Sequence, residues 1–232
     1  MPAPHAASRA GRLIALEGPE GVGKTTHLRR LAMHLERAGV PVLALREPGG
    51  TPLGDAIRAL LLDPARDIRP AAEALLFMAS RAELVAREVR PALERGTVVL
   101  LDRFFLSTYA YQIFGRGLPE AEVRAANQLA VGGLVPDLTL LLDSPHGQER
   151  VMRRPVQDRM ERSGGEFHER VHEAFRRFAD DGWQRAHPEC GAVVLVDATG
   201  SIDEVFARVL HPLATRWPES FPLMDLDRTG QA

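Results

Sequence analysis

The chain has 232 residues, 45% of them apolar and 26% charged, with 20 Gly and 17 Pro. Such a composition excludes disordered, collagenous and low-complexity classes, and the length suits one domain. Its formal net charge of -2 offers no long-range attraction to a nucleic-acid backbone or an anionic membrane, so an anion site must be local. A single cysteine, Cys190, excludes an internal disulfide, the start MPAPHAASRAGRL lacks the apolar stretch of a secretory signal, and no apolar run approaches the roughly 20 residues that span a bilayer. A soluble, cytoplasmic protein is expected.

In chain order, residues 12–17 (RLIALE) form the first short apolar run, followed by a glycine-rich stretch and then residues 25–38, with Leu28, Leu31, Ala32 and Leu35 at helical spacing. Further aliphatic runs at 42–45, 98–101, 138–142 and 193–196 lack polar alternation, as parallel strands covered on both faces do. Helical patterns fall at 55–62, 71–93, 106–114, 121–131, 166–186 and 202–213. The alternation predicts a doubly wound α/β fold with a parallel sheet. Residues 1–10 and 215–232 are expected to be flexible ends of a single domain over 11–214. The segment 153–165, RRPVQDRMERSGG, is highly charged and hinged by Pro155, Gly164 and Gly165, which predicts a mobile loop.

Residues 18–25, GPEGVGKT, fit the Walker A pattern between a strand and a helix. The loop Gly18, Pro19, Glu20, Gly21, Val22 and Gly23 can turn its backbone N–H groups, which all but Pro19 carry, around phosphates, Lys24 can neutralise them, and Thr25 offers a hydroxyl to Mg²⁺, with Thr26 following. Of the 29 basic residues only Lys24 is a lysine, so chemistry rather than compositional drift holds it there. No second lysine exists with which to build the Asn-Lys-x-Asp motif of GTPases, and an LSGGQ-like signature is lacking. A small phosphotransferase is the class that remains.

The blocks LREPGGTPLGDAIR (45–58), LLFMASRAELV (75–85), DRFFLSTYAYQ (102–112) and PDLTLLLD (136–143) resemble bacterial thymidylate kinase, in that family's order, over roughly residues 12–213. The resemblance implies a P-loop NTPase fold with a five-stranded parallel sheet surrounded by helices, an arginine-rich lid at 153–165, a homodimer, and transfer of the ATP γ-phosphoryl group to dTMP on the way to dTTP. By the same resemblance Phe77 stacks on thymine, Arg81 bonds a ring carbonyl, Thr108 and Gln112 meet the base edge, Arg58 and Arg103 grip the dTMP phosphate, and Glu20 and Tyr111 lie near the sugar. Phe77 and Arg81, like Thr108 and Gln112, are four residues apart, so each pair shares a helical face. Gly21 and Val22 stand where one branch of the family carries an arginine, so the transition-state cation is expected from the lid, with Arg154 and Arg159 favoured beside Lys24 and Arg103. Thr25 is the expected Mg²⁺ residue, with Asp102 or Glu161 as a second, and Asp158 and Glu161 are expected to orient the lid arginines or the metal. Glu47 has no role that spacing assigns. Another nucleoside monophosphate kinase, or a nucleotide-binding module without transfer activity, stays open on the residues alone.

Overall fold

The computed structural model describes residues 11–147 and 157–223. Five strands form one all-parallel sheet in the order β2-β3-β1-β4-β5: β1 Arg12–Glu17, β2 Val42–Arg46, β3 Val98–Asp102, β4 Leu138–Asp143 and β5 Val193–Asp197. All five expected strands are present, each within a residue of its expected end. The connections leaving β1 and β4, which are neighbours, run to opposite edges, so the loops after them part at the carboxyl ends, where such sheets bind ligands.

Alternate residues of β1 face opposite sides, and both sides are covered. Leu13 and Ala15 belong to one core with Leu84, Val99, Leu101, Phe104 and Phe105; Ile14 and Leu16 belong to another with Leu31, Leu100, Leu140 and Val209. Each such leucine stabilises the fold by about 1.5–3 kcal/mol relative to exposure. This double covering explains why the strands read as unbroken apolar runs.

The helices are α1 Lys24–Arg37, α2 Pro52–Leu62, α3 Pro70–Leu84, α4 Arg90–Glu94, α5 Phe105–Thr108, α6 Glu120–Val131, α7 Gly165–Arg177, α8 Asp181–Ala186 and α9 Ile202–Arg216. A π-helical stretch, Val85–Val89, joins α3 to α4, and another, Tyr109–Gly115, prolongs α5. The helix expected at 55–62 starts earlier because the Thr51 hydroxyl accepts from the Gly54 N–H at 2.9 Å, capping it. The helix expected at 166–186 is divided. The Asp180 carboxylate accepts from the Trp183 N–H at 2.9 Å and starts a new helix, whose Trp183 packs 4.4 Å from the Phe178 ring.

The C-terminal boundary needs correcting. Residues 215–223 are part of the fold: α9 runs to Arg216, Phe221 is fully buried, and His34 meets the Pro222 carbonyl at 2.6 Å. Residues 1–10 and 224–232 lie outside the described residues, as do 153–156 of the charged loop. No helix among the described residues is long and apolar enough to cross a membrane.

Candidate active site

Strand β1 ends at Glu17 and α1 begins at Lys24; the glycine-rich turn between them lies against the end of β4. A Cβ on Gly18, whose φ is +134°, would stand 2.1 Å from the Leu142 carbonyl oxygen, and one on Gly21, at φ +77°, 2.1 Å from that of Gly147. Only glycine fits either place. Lys24 folds over this turn, its ammonium donating to the carbonyls of Gly18 at 2.9 Å and Pro19 at 2.6 Å. Burial, and then the Arg103 cation, lower its pKa to about 7, against the pull of Asp102, Glu20 and Glu17. The chamber above the turn is bordered by Glu20, Gly21, Gly23, Lys24, Thr25 and Thr26, and on its far side by Arg58 and Arg103.

The Thr25 hydroxyl donates to the Asp102 carboxylate at the end of β3. Among the described residues no cluster of three or more His, Cys, Asp or Glu could by itself hold a metal ion. A hydroxyl beside one carboxylate suits Mg²⁺, which binds through one or two protein oxygens, substrate phosphates and water.

Arg103 follows Asp102 at φ +74°, the one non-glycine residue described with positive φ. Such a backbone costs about 1–2 kcal/mol and is held here from several sides. Its Nη1 donates to the Gly18 carbonyl at 3.1 Å and to Ser107 Oγ at 2.9 Å; its Nη2 lies 3.4 Å from Glu20 Oε1; and its guanidinium lies 5.2 Å from the Tyr111 ring centre. Beneath it, the fully buried Glu17 accepts from the N–H groups of Phe104 at 2.6 Å and Ser107 at 3.1 Å, and from the Ser107 hydroxyl at 2.6 Å. Burial opposes charge on Arg103, yet Tyr111 and then the carboxylates of Glu20, Glu17 and Asp102 hold its pKa above the usual value. Burial opposes charge on Glu20 too, but Arg103 and Lys24 hold its carboxyl below the usual range.

A second cavity opens beside the first and shares Glu20, Arg58, Arg103 and Asp158 with it. Phe77, Arg81, Thr108, Tyr111 and Gln112 all line it, so the structure brings together every residue expected at the acceptor. Arg58 also donates to the Pro48 carbonyl at 2.9 Å; burial and then Arg46 lower its pKa. Arg81 departs from expectation. All its N–H groups are spent inside the protein: on Glu47 (2.7 and 2.5 Å), Thr108 Oγ1 (2.8 Å), Asn127 Oδ1 (2.6 Å) and the Phe104 carbonyl (2.7 Å). In this arrangement it fixes the wall of the cavity rather than offering a donor to it. One buried polar atom in the same wall, Glu47 Oε1, has no hydrogen-bond partner among the described residues.

Of the two favoured lid arginines only Arg159 is among the described residues, and it does not border the P-loop chamber. Arg159 turns the other way, onto Glu73 Oε2 at 2.7 Å and the Leu61 carbonyl at 2.7 Å, while Asp158 and Glu161 border the P-loop chamber. Arg154, the other favoured lid residue, lies outside the described residues. Glu73, fully buried on α3, also takes Arg116 through both oxygens (3.1 and 3.0 Å) and Gln112 Nε2 at 3.1 Å. Sequence reasoning missed Glu17, Glu73, Ser107 and Asn127, and left Glu47 without a role. Apart from the Ser107 bond to Arg103, four residues before it, their partners lie 34 to 90 residues away, beyond any local periodicity.

Comparison with known proteins fits this geometry. Residues 16–209 match the family model described as thymidylate kinase. The chain is 46% identical over 208 residues to a thymidylate kinase of Deinococcus radiodurans, covering 89% of this chain and 98% of that one. It is 48% identical over 204 residues to one of Pseudomonas fluorescens, covering 87% and 97%. A crystal structure of thymidylate kinase from Ehrlichia chaffeensis superposes with a TM-score of 0.68 at 31% identity, over 87% of this chain and 97% of that one. With a parallel five-stranded sheet, a glycine-bent phosphate cradle and a family match across most of its length, the chain belongs to the thymidylate kinase family.

Proposed function

We propose that this chain transfers the γ-phosphoryl group of ATP to dTMP, giving ADP and dTDP. The observation that carries the reading is the wall shared by the two cavities: Arg58 and Arg103 border both the P-loop chamber and the pocket lined by Phe77. The acceptor is a phosphate monoester with a second pKa of about 6, already a dianion near neutrality, so no general base is needed. The obstacle is repulsion between two polyanions brought in line, and cationic side chains answer it. Lys24 and the backbone N–H groups of Gly18 and of 20–26 hold the donor phosphates; Arg103 and Arg58 hold the acceptor phosphate between the chambers; Phe77 stacks on the base, and Thr108 and Gln112 meet its edge. Tyr111 and Glu20 stand beside the sugar.

Mg²⁺ would be held by Thr25 and Asp102 and would neutralise charge on the donor's β- and γ-oxygens. The lid cation is assigned to Arg154 by its place in the charged segment, since Glu73 retains Arg159. The working form is a homodimer: Leu53 and Leu60 of α2, Leu75 of α3 and Leu129 of α6 are exposed apolar residues on helices that pack in series, which supports a covered face. The cytoplasm, which supplies ATP, is the proposed compartment.

The test is an acceptor panel. Purified protein with ATP and Mg²⁺ is offered dTMP, dUMP, dGMP, CMP and AMP, and ADP release is measured. Preference for dTMP is expected. ATP binding without phosphorylation of any acceptor would overturn the reading in favour of a nucleotide-binding module.

A further inference from the structure

Glu73, fully buried on α3, ties its own helix to Arg116 and Gln112 of the π-helical stretch and its end, and to Arg159 of the charged loop. A carboxylate facing two guanidinium groups accepts hydrogen bonds only. The end of the Gln112 side chain that touches it must therefore be the amide NH₂, at 3.1 Å. Gln112 Oε1 then has no protein donor among the described residues, and Gln112 lines the acceptor cavity. Next to it, the Thr108 hydroxyl accepts from Arg81 at 2.8 Å, which leaves its own proton to donate. The cavity wall thus presents one fixed acceptor and one donor.

We propose that Glu73 is a specificity-determining positioning residue: by holding the Gln112 amide nitrogen it keeps the carbonyl oxygen turned to the acceptor base, selecting pyrimidines that carry an N3–H and a 4-carbonyl over those that carry a bare N3 and a 4-amino group. The inference rests on the reading that this cavity takes a pyrimidine monophosphate. Thymine and uracil offer an N3–H donor to Gln112 Oε1 and an O4 acceptor to Thr108. Cytosine offers the reverse order, and Gln112 cannot flip to suit it without setting its carbonyl oxygen against the Glu73 carboxylate. A hydroxyl rotates at little cost, so Thr108 alone discriminates weakly. A site built around a fixed hydrogen-bond pattern rejects the mismatched ligand strongly, because its buried polar groups are left unpaired.

The experiment compares dTMP with 5-methyl-dCMP, which differ only at N3 and the 4-position, as the ratio of their kcat/KM values. In Glu73→Gln the neighbour can donate as well as accept, Gln112 is free to turn, and the ratio is expected to fall at least about tenfold. Gln112→Met should lower the ratio similarly, and the double variant should fall no further than the greater single effect, since Glu73 acts through Gln112. A merely structural role would lower both rates and leave the ratio in place, which would overturn the inference, as would additive losses in the double variant. If Glu73→Gln does not fold, Glu73→Asp carries the same test, because it keeps the charge opposite Arg116 and Arg159 but withdraws it from Gln112 by one carbon. Wild-type protein that fails to phosphorylate dTMP would refute the underlying reading; a wild-type preference unmoved in the variants would refute this inference alone.

Discussion

Lys24 sits where burial and a neighbouring guanidinium work against its own charge, with a pKa of about 7 against an ordinary 10.5. In the ligand-free protein the ammonium is lost as pH rises through 7, whereas the unfolded chain keeps it to 10.5. Over that window the unfolded state holds more protons, so the cost of this buried lysine to stability is full below pH 7 and fades as pH rises. A bound triphosphate reverses the preference. Calorimetry at pH 8 in buffers of different ionisation enthalpy should therefore show proton uptake when a non-hydrolysable ATP analogue binds, and none in Lys24→Met, which should also lose at least about 100-fold in kcat. Phe77→Ala should raise KM for dTMP by about tenfold while leaving KM for ATP nearly unchanged, as expected for the loss of about 1–3 kcal/mol of base stacking; steady-state kinetics with each substrate varied in turn checks this. Ser107 joins Glu17 to Arg103 through hydrogen bonds of 2.6 and 2.9 Å. Ser107→Ala should raise KM for dTMP more than it lowers kcat with a dTMP-saturated enzyme, because Arg103 keeps its charge and loses its bearing.

At the scale of elements, each strand was legible because a strand buried on both faces needs an unbroken apolar run, and that need is written locally. Helix limits were less legible. The pattern over 166–186 keeps helical spacing through Phe178 and Ala179, yet the Asp180 side chain competes for the backbone and opens α8. Asp180→Ala should cost about 1 kcal/mol, read as a lower urea midpoint with an unchanged slope. The two π-helical stretches were not visible in the sequence at all. One of them carries Tyr111 and Gln112 to the wall of the second cavity, so an irregular helix places Gln112, which spacing by four had assigned with Thr108 to a regular face.

Across the whole molecule, the last described residues close the core beside α1 and α9 rather than trailing from it. Phe221 is fully buried in that cluster and 6.1 Å from the Trp217 ring. Phe221→Ala should destabilise the protein by about 3–5 kcal/mol in chemical denaturation; a value near zero would return 215–223 to the status of a loose tail. The segment reads as polar and proline-rich because only one or two of its side chains are asked to anchor it. The sequence by itself determined the phosphate cradle and the parallel sheet, since each depends on neighbours in the chain, glycines in one turn and apolar runs, whereas the acceptor residues were expected from the family resemblance of their motifs. Only the tertiary structure decided that Arg81 is spent on Glu47 and Asn127, that Arg159 answers to Glu73 and that Glu17 steadies Arg103. Buried charges choose partners by proximity in space, and those partners come from strands and helices that the chain order keeps far apart.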